Sequence, residues 1–283
     1  MKFGFGILLA VLIAGSSFAL QDRTAGEHKN SAKDSAGVRS AAPGDTLRKL
    51  PNKAFTAGEY LKFNVYYGPV AAGEAEMKIS DVMVRNRKCY SIEFTMKTKP
   101  VFDFFYKIND RYLSNVDAEG LFPWRFEQHI REGGFERDFT ADFDQVSHLA
   151  TTSGGTYPIP AYVHDIMSAL YFARTIDYTG FKDGQKVHLQ NFYKDSTYEL
   201  DVKYKGKQTI EVNAGKFNCI VIEPLAKEGG LLKGDGKLFV WITDDDRKII
   251  VRVSTKVRVG SIDSELEEYS GLNGPLNAKV NDN

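Results

Sequence analysis

The sequence has no net charge and few of the residues that build metal or nucleophilic sites. Lysine plus arginine and aspartate plus glutamate each number 37 in 283 residues, so the overall charge offers no attraction to a polyanion. We therefore expect no nucleic-acid partner. The five histidines show no His-x-x-x-His spacing, and the two cysteines lie far apart. These patterns predict neither a metal site nor a bound cofactor.

Catalytic motifs are equally scarce. No Gly-x-Ser-x-Gly elbow occurs in the chain. His164, Asp165 and Ser168 come nearest to a hydrolase arrangement, because a nucleophile needs a base and the base needs an orienting carboxylate. Asp165 is also the expected cap of a helix, and Ser168 falls within that helix, which we predict to be buried. We therefore expect a protein without enzymatic activity, and a hydrolase is the less favoured interpretation.

One acidic run has residues that calcium prefers. Asp244, Asp245 and Asp246 supply three adjacent carboxylates. The run lacks the glycine and the distal glutamate of a calcium loop, and it separates two apolar segments. Because aspartate bonds its own backbone in turns, the pattern predicts a solvated hairpin turn.

The amino terminus has the pattern of a secretory signal peptide. Lys2 precedes an apolar run over residues 3–13, and Ser17 and Ala19 match a small-residue cleavage signal. We predict that residues 1–19 are removed and that the mature protein is periplasmic, with no membrane-spanning segment. No cysteine follows the apolar run, so a lipoprotein anchor is not expected.

Composition divides the remaining chain into three parts. Residues 20–52 contain no aromatic side chain and too little apolar surface to order themselves, which predicts a disordered tether. Residues 53–272 are predicted to form a single β-domain, and residues 273–283 a flexible tail. In an oxidising compartment Cys89 and Cys219 can form one disulfide, but buried free cysteines are also common in strands, so the pairing stays open.

Within residues 53–272 apolar and polar side chains alternate in segment after segment, as they do in half-buried strands. Segments 219–222 and 238–242 are apolar on both faces, which predicts central strands covered on both sides. The pattern indicates roughly ten to twelve mostly antiparallel strands, and a sheet that wide curls or closes to hide its apolar face. We predict a mainly β fold, a strongly curved antiparallel sheet forming an open or partial barrel; a two-sheet sandwich is the alternative.

Residues 165–174 predict the helix around which this sheet is wrapped. Asp165 can cap the first turn, and Arg174 suits the negative end of the helix dipole. Apolar residues cover nearly the whole circumference between them, so we expect the helix to be buried at the centre of the barrel. They are Ile166, Met167, Ala169, Leu170, Tyr171, Phe172 and Ala173.

The order of several segments resembles a family of exported Gram-negative bacterial proteins known only as a domain of unknown function. The matching segments are residues 58–63, 165–174, 215–219, 241–246 and 259–262. The resemblance covers nearly all of residues 53–272 and implies no catalytic residues. It also implies a fold similar to the curved, helix-plugged half-barrels of periplasmic lipoprotein carriers.

The apolar excess of the chain predicts a ligand site. An aromatic cluster breaks the strand alternation between two predicted strands, and we expect it to line an apolar pocket together with residues of the helix and of one central strand. The predicted ligand-binding residues are Phe102, Phe104, Phe105, Leu170, Tyr171 and Trp241. The expected function is a non-catalytic binding or carrier module for a lipid or another apolar ligand. The alternative is a structural or protein-interaction module of the cell envelope.

Overall fold

The structure of the protein, a computed structural model, describes residues 47–104, 106–226, 237–256 and 260–281. The predicted signal peptide and most of the predicted tether lie outside these residues. Within them, no helix has both the length and the apolar character needed to cross a membrane.

The described residues contain fifteen strands, one α-helix (α1) and a short 3-10 helix at Pro100–Phe102. The first eight strands are β1 (Tyr60–Tyr67), β2 (Val70–Val84), β3 (Arg87–Thr98), β4 (Asn109–Asp117), β5 (Pro123–Glu132), β6 (Phe135–Asp144), β7 (Leu149–Thr152) and β8 (Gly155–Pro158). After α1 (Ile166–Ala173) follow β9 (Lys186–Tyr193), β10 (Ser196–Val212), β11 (Gly215–Ala226), β12 (Leu238–Thr243), β13 (Ile250–Lys256), β14 (Ser261–Ser270) and β15 (Lys279–Val280).

All fifteen strands belong to one antiparallel sheet, which runs from β8 back to β1 and then from β14 back to β9. Two meanders are therefore joined by a single long-range pair, in which Leu61 of β1 lies opposite Tyr269 of β14 and Val65 opposite Ser264. The predicted mainly β, antiparallel fold is confirmed, and it is one sheet and not a two-sheet sandwich.

Within the described residues the sheet does not close by strand pairing. Its two edges are β8 and β9, and side chains fill the seam between the strands near these edges. The ring centroids of Phe143 and Phe192 are 5.8 Å apart, and so are those of Phe139 and Tyr193. This arrangement is an open barrel whose edges meet through aromatic packing.

Helix α1 connects the two edge strands and is buried. The predicted range 165–174 corresponds to α1 with Asp165 as its N-cap and Arg174 as its C-cap. Seven of the eight helical residues are buried, and only Phe172 is partly exposed. The prediction of a central, buried helix is confirmed.

Burial follows the predicted alternation in most strands but not in β12. All four residues of segment 219–222 are buried, as predicted for a central strand. In β12, by contrast, Phe239 and Trp241 are only partly buried. The prediction that β12 is covered on both faces was wrong: hydrophobicity on both faces does not by itself imply burial of both.

Both ends of the described chain pack against the barrel. In the segment predicted as a tether, the backbone N–H of Leu50 donates to the carbonyl of Glu119 at 2.8 Å. In the segment predicted as a flexible tail, β15 pairs with β11, and the N–H of the buried Ala278 donates to Oδ2 of Asp245 at 2.9 Å. Apolar content alone does not reveal this order, because both contacts are made through backbone groups.

Candidate functional site

The space between α1 and the sheet is almost completely filled. A cavity of about 10 Å³ lies beside the helix, which is room for about one water molecule. Leu170 is the only helical residue in its lining, and the others come from five strands. The lining residues are Phe63, Ala75, Met77, Phe94, Leu170, Ile250, Val253 and Ser264. An acyl chain does not fit this cavity.

The N-terminus of α1 is held by a buried cap. Oδ1 of Asp165 accepts the backbone N–H groups of Met167 at 2.8 Å and Ser168 at 2.9 Å. Its Oδ2 accepts the hydroxyl of Ser114 on β4 at 2.6 Å. Burial raises the pKa of Asp165 to about 6, and the hydrogen bonds from Ser114 and the helix act against that shift. The cap therefore also fastens the helix to the sheet.

The residues considered for a hydrolase belong to this same cap. Nδ1 of His164 lies 3.3 Å from Oγ of Ser168, but the hydroxyl also accepts the N–H of Asp165 at 3.0 Å and closes a capping box. Burial, with a smaller contribution from the Arg48 charge, lowers the pKa of His164 to about 3. All three residues are at most 2% exposed. All three side chains are therefore enclosed by the cap and the surrounding core.

The C-terminus of α1 is held by a buried ion pair. The guanidinium of Arg174 donates to Glu59 through Nη1 to Oε1 at 2.6 Å and Nη2 to Oε2 at 2.7 Å. Nη2 also donates to the carbonyl of Arg247 at 3.1 Å, and the guanidinium lies 4.7 Å from the centre of the Tyr171 ring. Arg174 was predicted to lie at the negative end of the helix dipole, but its partner Glu59 was not predicted from the sequence. The one sequence feature that could have indicated this partner is the position of Glu59 directly before β1, the first strand with an apolar face.

The acidic run forms a hairpin turn, as its composition predicted. Oδ1 of Asp245 accepts the backbone N–H of Arg247 at 3.0 Å and of Lys248 at 3.1 Å, while Asp244 pairs with Lys207 at 2.6 Å. An open, polar cleft of about 350 Å³ lies beside this turn. No cluster of three potential metal ligands occurs in the described part of the chain.

The two cysteines are free and separately buried. Cys89 packs with Phe122 and Trp124, and Cys219 belongs to the main core. Burial raises the pKa of each thiol to about 12, so neither is activated as a nucleophile.

Of the six predicted ligand-binding residues, the five that the structure describes are not all brought together. Leu170 and Tyr171 are buried in the core, whereas Phe104 is 92% exposed in the connection between β3 and β4. Phe102 is partly exposed in the same connection, and Phe105 lies outside the described residues. Trp241 lies on the outer face of β12, where its Nε1 donates to Gln208 at 2.8 Å.

The exposed aromatic residue belongs to an apolar patch on one rim of the barrel. In an antiparallel meander the β1–β2, β3–β4 and β5–β6 connections lie at the same end. Two backbone hydrogen bonds join these connections, from Lys99 to the carbonyl of Ala72 and from Gly133 to that of Lys107, each at 2.9 Å. We call the exposed or partly exposed apolar residues here the rim patch. It consists of Val70, Val101, Phe102, Phe104 and Phe135.

Two carboxyl groups are buried next to these connections. Asp110 of β4 and Glu132 of β5 are each 2% exposed. Burial and the neighbouring carboxyl of Asp110 raise the pKa of Glu132 to about 8, and burial also raises the pKa of Asp110. The alternation pattern did not reveal this pair, because both residues occupy inward positions that apolar residues normally fill.

The single curved sheet and its buried helix define a β-barrel-like class of protein. Within that class, the chain belongs to the DUF3108 family, proteins of unknown function, whose model matches residues 62–267. The predicted membership of a family without assigned function is confirmed. No curated protein matches the chain.

One solved structure has a similar fold along most of the chain. It is the β-barrel-like protein of the DUF1849 domain of unknown function from Brucella abortus, with 10% identity, a TM-score of 0.50, and coverage of 80% of this chain and 99% of that one. This likeness supports the fold alone. The predicted similarity to the half-barrels of lipoprotein carriers stays a prediction.

Two further structures match more distantly. A proposed exported protein with a YmcC-like fold from Bacteroides fragilis is 13% identical, with a TM-score of 0.29 and coverage of 80% of this chain and all of the other. A proposed lipoprotein from Parabacteroides distasonis is 10% identical, with a TM-score of 0.31 and the same coverage.

Proposed function

We propose that the protein is an exported, non-catalytic interaction module of the cell envelope that acts through its outer surface. The observation that supports the proposal is the tightly packed interior of the described residues, where the cavity beside α1 has a volume of about 10 Å³. A pocket for a small ligand normally encloses roughly 300 Å³ or more. Export is inferred from the predicted signal peptide, residues 1–19.

The way α1 is anchored supports the same proposal. Asp165 fastens one end of the helix to Ser114, and Arg174 fastens the other end to Glu59. Moving the helix outward would break both anchors and leave buried charged groups without partners, which costs several kcal/mol for a buried ion pair. A rigid, filled barrel of this kind serves as a scaffold for surface contacts.

A carrier for an apolar ligand is the second candidate function. One observation favours it: apart from Ser264, the lining of the small cavity is entirely apolar. For an acyl chain to enter, Leu170 would have to move away from the strands. The two candidates therefore differ in whether the interior takes up a ligand in solution.

A fluorescent fatty acid, used below the concentration at which it forms micelles, tests the proposal. The mature protein is expected to show no saturable binding. Leu170→Ala, which enlarges the apolar cavity, is a control for cavity size and is expected to bind xenon or benzene but not the fatty acid, because dry apolar cavities of about 150 Å³ bind such small probes. Saturable one-to-one binding of the fatty acid by the unaltered protein would overturn the proposal in favour of the carrier.

A further inference from the structure

Several apolar side chains of the rim patch have large exposed fractions. Phe104 is 92% exposed and Val101 is 71% exposed, and both project from the β3–β4 connection. Val70 and Phe135 on the neighbouring connections are each more than 40% exposed. Single exposed apolar residues are ordinary, but a group of them on adjacent connections marks a contact surface.

The β3–β4 connection of the rim patch carries a positive charge although the whole chain is neutral. Residues 97–107 contain three lysines and one aspartate. Lys97 lies opposite Glu74 in the sheet register, but Lys99 and Lys107 form no ion pair with any described residue. These two lysines stand on either side of the apolar tip. Long lysine side chains can reach an anionic surface while the apolar tip enters it.

The opposite rim of the barrel provides a comparison. Met83 is 65% exposed there, near the β2–β3 turn. The basic residues nearby are already paired: Arg85 with Asp144 at 3.5 Å and Lys88 with Asp81 at 3.2 Å. At the rim patch, exposed apolar side chains therefore lie beside lysines that have no ion-pair partner among the described residues. At the opposite rim, the exposed Met83 lies near basic residues that are paired.

We propose that the rim patch, with Lys99 and Lys107, docks the protein onto the surface of an anionic phospholipid membrane. The apolar tip would enter the boundary between headgroups and acyl chains, and the lysines would contact the anionic headgroups. This inference rests on the proposed function, since it names the partner of the outer surface. It requires no movement of α1 and no space inside the barrel.

Vesicle co-sedimentation of the mature protein tests the inference. Phosphatidylcholine vesicles are compared with vesicles in which half of the lipid is phosphatidylglycerol. Binding is expected only to the anionic vesicles, with an affinity that falls as salt is added. Absence of binding to the anionic vesicles at low salt would overturn the inference.

Two double variants and one single variant separate the apolar and the charged contributions to vesicle binding. Val101→Ser/Phe104→Ser is expected to weaken binding by about 10-fold or more, because it removes the apolar tip. Lys99→Gln/Lys107→Gln should weaken binding by about 10-fold or more on anionic vesicles, at roughly fivefold per charge. Met83→Ser, the matched control on the opposite rim, should leave binding within about twofold. Unchanged binding by the Val101/Phe104 variant would overturn the inference.

Sedimentation velocity without vesicles distinguishes a protein partner. If the unaltered protein self-associates and Phe104→Ser abolishes this, while vesicles bind neither protein, the patch contacts a second copy and the membrane inference fails. The proposed function would survive that result. It fails only if the fatty acid binds saturably in solution, so the two failures are distinguishable.

Discussion

At the scale of single residues, two buried acidic groups have opposite surroundings. Glu59 faces the guanidinium of Arg174, so its charge is balanced inside the core. Glu132 faces another carboxyl, that of Asp110, and its Oε1 accepts no hydrogen bond from the described residues. A single proton held by this second pair removes the repulsion between two buried negative charges. The pair of Glu59 and Arg174 therefore has a structural role. The pair of Asp110 and Glu132 is expected to change its protonation state with pH.

The raised pKa of Glu132 makes stability depend on pH. In the folded protein this pKa is about 8, against 4.5 for the unperturbed group. Between these values the folded state keeps a proton that the unfolded chain releases. The stability that this proton contributes to the folded state is complete below the pKa of the unfolded chain, and it is lost as pH rises through about 8. Because each pH unit between the two pKa values contributes about 1.4 kcal/mol, we expect the free energy of unfolding to fall by on the order of 5 kcal/mol across this range.

Urea unfolding at a series of pH values measures this effect. Glu132→Gln should flatten the profile and stabilise the protein most at the alkaline end, because the amide cannot ionise. Glu136→Gln on the same hairpin is the control, since that side chain is 72% exposed. Equal slopes for the unaltered protein and Glu132→Gln would contradict the assignment.

At the scale of elements, α1 is too short to be stable alone. Helices shorter than about 12 residues are marginal in water, and α1 spans Ile166–Ala173. Its stability comes from burial and from the cap and ion pair at its ends. The segment before α1 adds a further constraint, since the N–H of His164 donates to the carbonyl of Gln190 on β9 at 2.8 Å.

The cap of α1 can be tested by two substitutions at one position. Asp165→Ala removes the acceptor for Met167 and Ser168 and leaves the Ser114 hydroxyl without its partner, so it should lower the free energy of unfolding by about 2 kcal/mol. Asp165→Asn keeps an acceptor and should cost less than half as much. Thermal and urea unfolding provide the measurement. Equal losses for both variants would mean that charge, and not the cap hydrogen bonds, holds the helix.

At the scale of the whole molecule, the barrel is completed by one backbone seam and one side-chain seam. Strands β1 and β14 join the two meanders by hydrogen bonds, although nearly the whole domain separates them in sequence. At the other seam, between the sheet edges, aromatic rings replace the missing backbone pairing. Phe192 lies at its centre, with its ring 5.8 Å from Phe143 and 6.3 Å from Tyr157.

The side-chain seam should therefore be sensitive to loss of an aromatic ring. Phe192→Ala is expected to lower the free energy of unfolding by about 3–5 kcal/mol, as large-to-small changes in a core do. Phe239→Ala, on the partly exposed outer face of β12, is the matched control and should cost about 1 kcal/mol or less. Similar losses for the two variants would show that the seam does not support the barrel.

The sequence by itself determined the elements that depend on local pattern. Alternating residues specified the strands, because a period of two has a physical meaning in any sheet. Asp165, Arg174 and the apolar residues between them specified the helix and its burial. These signals involve neighbours within a few positions, so no knowledge of the tertiary structure was needed.

Only the tertiary structure decided which distant residues meet. The pairing of Glu59 with Arg174 and of Asp110 with Glu132, and the grouping of Val70, Val101 and Phe135 on one rim, depend on strand order and register. The described apolar residues that suggested a pocket lie apart: Leu170 packs into the core, while Phe104 faces outward. Hydrophobicity measures the tendency of a side chain to leave water, but the neighbours in space decide whether it fills a core, lines a pocket or stays exposed.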